Sequence, residues 1–253
     1  MQPITVQRLE GDVVRISLSS GRGNPLTPPL LDALCATLSE LTQSPPRAVI
    51  LDGGGAKIFS GGFPLPLIAS WDRPAIATFF SRFLEALYLL MALPCPTICA
   101  LNGHAIAGGF ILSMGCDLRV CREEGLKFGL SEVDLGIAVP AGTQVLLAAR
   151  TTPQAALKLS MMGKLMRPDE ALRTGYADEL AEDAEAFAVG LAQTLAGKPG
   201  VGAAVTRQLY TAPLLAAVKK ADEAHMDAFL DTWFSPVGQQ HLKAMAARLG
   251  GKK

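Results

Sequence analysis

The chain has 253 residues, 49% of them hydrophobic, and balances 23 lysines and arginines against 23 aspartates and glutamates. A chain of this length can bury a sizeable core as one large domain, and the even charge balance gives no electrostatic reason to expect nucleic acid or an anionic membrane as partner. Met1-Gln2-Pro3 leads directly into alternating strand sequence with no basic flank or apolar run, so no signal peptide is expected and the chain reads as cytoplasmic.

In chain order, 4–9 and 13–19 flank Glu10-Gly11-Asp12 and alternate apolar with polar residues, which predicts an antiparallel hairpin. Thr27 before Pro28 gives a helix cap, and Leu31, Leu34, Leu38 and Leu41 recur at helical spacing up to Pro45-Pro46. Residues 47–51 form a short strand running into Asp52-Gly53-Gly54-Gly55. A glycine turn, Phe59-Ser60-Gly61-Gly62-Phe63-Pro64, follows; Pro64 has no N–H, but Phe63 keeps one. Ile76, Phe79, Phe80, Phe83, Leu84 and Leu87 mark a strongly apolar helix, and 94–100 return as a strand.

Residues 101–117 form a second glycine segment between that strand and an apolar helix starting after Gly108. The first N–H groups of a helix have no internal partner and lie at the positive end of its dipole, so the turn Ala107-Gly108-Gly109 can hold an anion. Its glycines equally serve tight packing. Downstream, 140–149, 153–162, 168–175 and 184–196 read as helices, with 177–180 a strand or loop. The remainder reads as three helices, 202–210, 214–234 and 237–249, broken at Pro213 and at Ser235-Pro236. The terminal Gly251-Lys252-Lys253 does not match a peroxisomal address. The five cysteines lie mostly in apolar runs without paired spacing, and His104, His225 and His241 are far apart, so reduced core thiols and no metal site are expected.

The segments 59–63, 100–117 and 128–144, in this order and spacing, resemble the signature regions of the crotonase superfamily, the enoyl-CoA hydratase and isomerase proteins, over nearly the whole chain. The resemblance implies an α/β fold: a crotonase-like spiral of ββα turns over residues 1–197, with a helical region at 198–253 for pocket cover and trimerisation. It implies an acyl-CoA thioester as substrate, with no separate cofactor, and a homotrimer or dimer of trimers. By position, the backbone N–H groups of Phe63 and Gly108 would form an oxyanion hole, and Gly61, Ile111 and Pro140 would lie against the substrate. Arg22 would lie near the nucleotide end of CoA, where an arginine can meet a phosphate; an exposed arginine with no specific role fits that position equally.

The acids discriminate among activities. Hydratases of this family carry two glutamates, and the position of one is Ile111 here, a hydrocarbon that can neither accept a proton nor hold water. The position of the other is Glu132, in Phe128-Gly129-Leu130-Ser131-Glu132-Val133-Asp134-Leu135-Gly136. This pattern resembles single-glutamate Δ3,Δ2-enoyl-CoA isomerases, in which Glu132 would act as the catalytic proton shuttle. The local sequence also reads Glu132 as a first-turn helix acid with Ser131 as cap. Asp117 and Asp134 read as structural, and His104 as a residue that packs or bonds to backbone. Other single-acid reactions on an acyl-CoA thioester (hydrolysis, decarboxylation, atypical hydration) and noncatalytic acyl-CoA binding are the alternatives.

Overall fold

The computed structural model describes residues 2–251; the Met1 start and the Lys252-Lys253 end read above lie outside them. The hairpin forms as expected, with β1 (Ile4–Leu9) antiparallel to β2 (Val13–Leu18). Helix α1 (Pro28–Gln43) begins where the Thr27 side chain accepts the Leu30 N–H. Strands β3 (Ala48–Asp52) and β4 (Ile58–Ser60) follow, then the single-turn α2 (Leu65–Ile68) and α3 (Arg73–Ala92), capped by Asp72. The next turn contributes β5 (Thr97–Leu101), β6 (His104–Ile106) and α4 (Gly108–Met114). After it come β7 (Leu118–Arg122), β8 (Phe128–Gly129), a 3₁₀ turn at Val133–Leu135, α5 (Ala141–Arg150) and α6 (Pro153–Met162). The rest comprises β9 (Leu165–Met166), α7 (Pro168–Thr174), β10 (Glu179–Ala181), α8 (Ala184–Ala196), α9 (Gly200–Trp233) and α10 (Pro236–Gly250).

Successive turns lay one strand in each of two sheets. The six-stranded sheet runs β1-β2-β3-β5-β7-β10 and the four-stranded sheet β4-β6-β8-β9. Beyond the opening hairpin the larger sheet is parallel, and β4, β6 and β8 are parallel neighbours in the smaller one. This is the spiral of ββα turns that the resemblance implied.

Both faces of the larger sheet are covered, which is why its central strands are apolar throughout. Val49, Leu51, Cys99 and Leu101 face the main core with α1 and α3, while Ala48, Ile50, Ile98 and Ala100 face Ala184, Ala188, Ala192 and Ala196 of α8. The alanine stripe at every fourth residue lets that helix lie close on the strands. Helix α3 is long and apolar enough by composition to cross a membrane, but Ile76, Phe80, Phe83, Leu87 and Leu90 are buried in the core of this fold. All five cysteines are buried free thiols.

Two sequence expectations change. Pro213 does not break the chain into two helices; α9 runs unbroken through it. A proline inside a helix leaves the carbonyl four residues back without its partner, but Leu209 is 74% exposed, so water can take that place, and packing of α9 on α3 and α5 holds the helix together. The stretch read as a strand or loop at 177–180 forms a strand at Glu179–Ala181, and β7 joins the larger sheet where the sequence suggested no element. The break at Ser235-Pro236 is observed, with the Ser235 hydroxyl accepting the Gly238 N–H at the start of α10.

Candidate active site

The two glycine segments leave neighbouring strands of the smaller sheet at the same end. Phe63 follows β4 by three residues and Gly108 follows β6 by two, and β4 pairs in parallel with β6 through Ile58–His104 and Ser60–Ala105. Among the described residues neither the Phe63 N–H nor the Gly108 N–H donates to an acceptor within the protein. The two residues touch: a Cβ added to Gly108 would lie 3.0 Å from Phe63 Cε1, and one added to Gly62 would lie 3.0 Å from the Gly108 nitrogen. Gly62 also has φ +86°, so the turn needs glycine there on both counts.

Each loop is fixed from behind. The Phe63 ring stands edge-on to Phe79, Phe80 and Phe83 of α3, with centroids 5.0, 6.0 and 5.0 Å away. The Gly61 N–H donates to Gly23 O and the Gly62 carbonyl accepts from Leu26 N–H, both at 2.9 Å. Ala107 has φ 51° and ψ −125°, a backbone region that costs a non-glycine residue about 1–3 kcal/mol. It is held there by its N–H on Gly129 O at 2.9 Å and by its carbonyl, which accepts the Ile111 N–H at 3.0 Å. The strained peptide turns the Gly108 N–H out at the start of α4.

Gly61, Phe63, Ala107, Ile111, Glu132 and Pro140 line one cavity of about 230 Å³. Five residues singled out from the sequence (Gly61, Phe63, Ile111, Glu132, Pro140) therefore meet there, with Gly108 directly behind the Phe63 ring. Arg22 stands exposed in the loop between β2 and α1 and does not line this cavity, although its loop is the one bonded to Gly61 and Gly62. Apart from Ser131 the rest of the wall is apolar, and includes Leu65 and Phe80, Phe229 and Trp233 from α9, and Leu242, Met245 and Leu249 from α10. The three α10 residues were not anticipated, yet their spacing of three and four residues marks one face of the helix.

Glu132 stands just before the 3₁₀ turn, and its Oε2 accepts the Ser131 N–H at 2.8 Å. The Ser131 side chain supplies no cap. Among the described residues no cation pairs with Glu132. Burial in the apolar wall pushes its carboxyl up to about 7, against the opposing pull of backbone N–H groups at Glu132 and Ser131. A carboxyl in that range can both take and return a proton near neutrality. Its backbone is pinned in turn, since Glu132 O accepts N–H groups from Leu135 at 2.9 Å and Ile137 at 3.0 Å. Ile111, 1% exposed, offers no second acid.

The other polar candidates are used by the fold. His104 Nδ1 accepts the Lys127 N–H at 3.0 Å, and burial together with Lys127 and Arg122 lowers its affinity for a proton. Asp117 accepts the Thr97 N–H at 2.8 Å and pairs with Arg207 at 2.6 Å. Among the described residues no cluster of histidine, cysteine and carboxylates could hold a metal ion.

A parallel ββα spiral whose two glycine turns meet next to a cavity lined by the carboxyl of Glu132 is a crotonase-type arrangement. The sequence profile of the enoyl-CoA hydratase/isomerase family matches residues 8–243, and the chain belongs to that family. It is an enzyme of the acyl-CoA-processing kind that this family comprises. It is similar to a carnitinyl-CoA dehydratase of Salmonella enteritidis, with 31% identity over 205 residues that cover 80% of this chain and 78% of the relative. Among solved structures, human mitochondrial Δ3-Δ2-enoyl-CoA isomerase superposes with a TM-score of 0.92 at 22% identity over the full length of both chains, a likeness of fold. Two structures from Mycobacterium tuberculosis match at 27% identity over 90% of this chain. One is described as an enoyl-CoA isomerase (TM-score 0.81, 99% of its length) and the other as a probable enoyl-CoA hydratase (TM-score 0.82, 96%).

Proposed function

We propose that this enzyme moves the double bond of a 3-enoyl-CoA to the 2-position, with Glu132 as the only acid–base group. The observation that carries this reading is one partly buried carboxyl in an apolar cavity, raised to about 7, with Ile111 at the second-acid position. In the reaction the Glu132 carboxylate takes a proton from C2, and the electron pair spreads into the C3–C4 double bond and onto the thioester oxygen. The N–H groups of Phe63 and Gly108 stabilise that oxygen, at about 3 kcal/mol for each donor in comparable holes. Protonated Glu132 then returns the proton to C4, which leaves the double bond between C2 and C3, conjugated with the thioester. Only a proton moves, so no redox cofactor or metal takes part in the scheme; coenzyme A enters as part of the substrate. Arg22 would meet the nucleotide end of CoA, and Gly61, Ile111 and Pro140 would bound the acyl group. A cytoplasmic homotrimer or pair of trimers, with residues 198–253 covering the pocket and building the assembly, completes the proposal.

The test is to mix the protein with 3-hexenoyl-CoA and follow the conjugated 2-enoyl thioester by ultraviolet absorbance, with Glu132→Gln in parallel. Product formed by the parent and lost in the variant supports the isomerase. Absence of product from both, with CoA esters still bound, overturns it in favour of another single-acid reaction or of binding alone. The dehydratase name among the relatives supplies the second reading. It would require water to add to a 2-enoyl-CoA without a glutamate at position 111, and the same assay run with 2-hexenoyl-CoA detects that as loss of conjugation.

A further inference from the structure

We infer that Met245 closes the acyl pocket of this enzyme and limits the length of the chain it accepts. The inference rests on the acyl-CoA reading above but not on the isomerase chemistry. A second hollow of about 240 Å³ adjoins the apolar cavity, and the two share Ser131, Leu135 and Met245 as a common wall. Ser131 and Leu135 belong to the segment that carries Glu132. Met245 is the one shared residue outside it, and it comes from α10.

The two hollows differ in character because α10 turns a different face to each. Leu242 and Leu249 line the cavity that holds Glu132, whereas His241 and Arg248 line the second hollow, opposite Asp134. A methyl-ended chain passing Met245 would leave an apolar wall and meet charged groups. The apolar cavity has a volume of about 230 Å³. Methionine suits a wall of this kind, since its unbranched side chain fills irregular gaps, and Met245 is only partly buried.

Saturated acyl-CoAs from C4 to C14 serve as probes, since they have no double bond to move and report binding alone. Their affinities are measured by isothermal calorimetry on the parent, Met245→Ala and Met245→Leu, each checked by thermal melting. Each methylene entering the apolar cavity should tighten binding about fourfold. In the parent this gain should stop at a definite length short of C14. Met245→Ala joins the two hollows, so its gain should continue for at least two more carbons, while Met245→Leu should keep the parental limit. A parental affinity that keeps rising through C14 overturns the inference whatever the variants do. So does a Met245→Ala ladder that stops where the parent's stops. A parent that binds these esters with the expected limit yet fails to isomerise 3-hexenoyl-CoA would sink the isomerase reading and leave this one standing.

Discussion

Replacing Glu132 by glutamine should remove activity and also make the protein more stable, by an amount that depends on pH. Burial pushes this carboxyl from 4.5 up to about 7 in the folded chain, and unfolding returns it to its ordinary value. Between those two values the folded state keeps a proton that the unfolded chain has lost. Stability therefore falls as pH rises through the window, and the loss is complete above about pH 7. At ~1.4 kcal/mol for each tenfold change in proton affinity, it amounts to about 3 kcal/mol. Glutamine is neutral at every pH and retains a carbonyl for the Ser131 N–H, which now binds Oε2 at 2.8 Å. Urea unfolding of both proteins at about pH 5, 7 and 8.5 isolates the effect, because every other titrating group cancels in the difference. The variant should match the parent to within about 1 kcal/mol at the acid end and exceed it by about 3 kcal/mol at the alkaline end. A difference that stays flat across this range would refute the claim that Glu132 is held in an apolar setting.

Two further substitutions probe the frame around the site. A Cβ at Gly109 would overlap the carbonyl oxygen and Cβ of Ser60, whose hydroxyl also accepts the Gly62 N–H; Gly109→Ala should cost about 1–3 kcal/mol in thermal unfolding and lower kcat with it, because the start of α4 must move. Unchanged melting and turnover would show that α4 is not packed this tightly. Arg119, 2% exposed, bonds Asp178 at 2.6 Å and the carbonyls of Cys116 and Tyr176. Arg119→Leu removes the guanidinium from all three and leaves Asp178 only the backbone N–H of residue 119; it should cost about 3 kcal/mol by urea unfolding, and a loss below about 1 kcal/mol would contradict that role.

The elements that could be read from the sequence are those long enough to show a period or bounded by a cap. Leu31, Leu34 and Leu38 trace α1, and Thr27 and Ser235 mark the starts of α1 and α10. Strands β4, β6, β8 and β9 are only two or three residues long, and β4, β6 and β8 carry Ser60, His104 and Gly129, so no alternation could announce them. The family resemblance implied a spiral of ββα turns but located none of these strands. Strand β7 is obscured differently: Arg119 reads as a surface charge, and only the fold supplies the carbonyls and Asp178 that let it be buried. Pro213 argued for a break that packing on α3 and α5 overrides. At the site, the glycine turns were visible as potential donors, but Glu132 was locally indistinguishable from an acid at a helix start. What separates the two roles is the apolar wall around it, assembled from α9 and α10 a hundred residues further on.

The pairing of β4 with β6 also fixes a length. Neighbouring parallel strands lie about 4.8 Å apart, and Phe63 and Gly108 follow two such neighbours by three and two residues, so the ladder of backbone bonds brings the two turns together. The Phe63 ring on Phe79, Phe80 and Phe83 then holds one of the two turns in place. Wall residues outside that ring cluster, such as those of α10, can therefore change while the two turns stay in place. An inserted residue between Ser60 and Phe63 would act in the opposite way, displacing one amide by up to ~3.4 Å, the rise of one extended residue, and leaving its partner where it was.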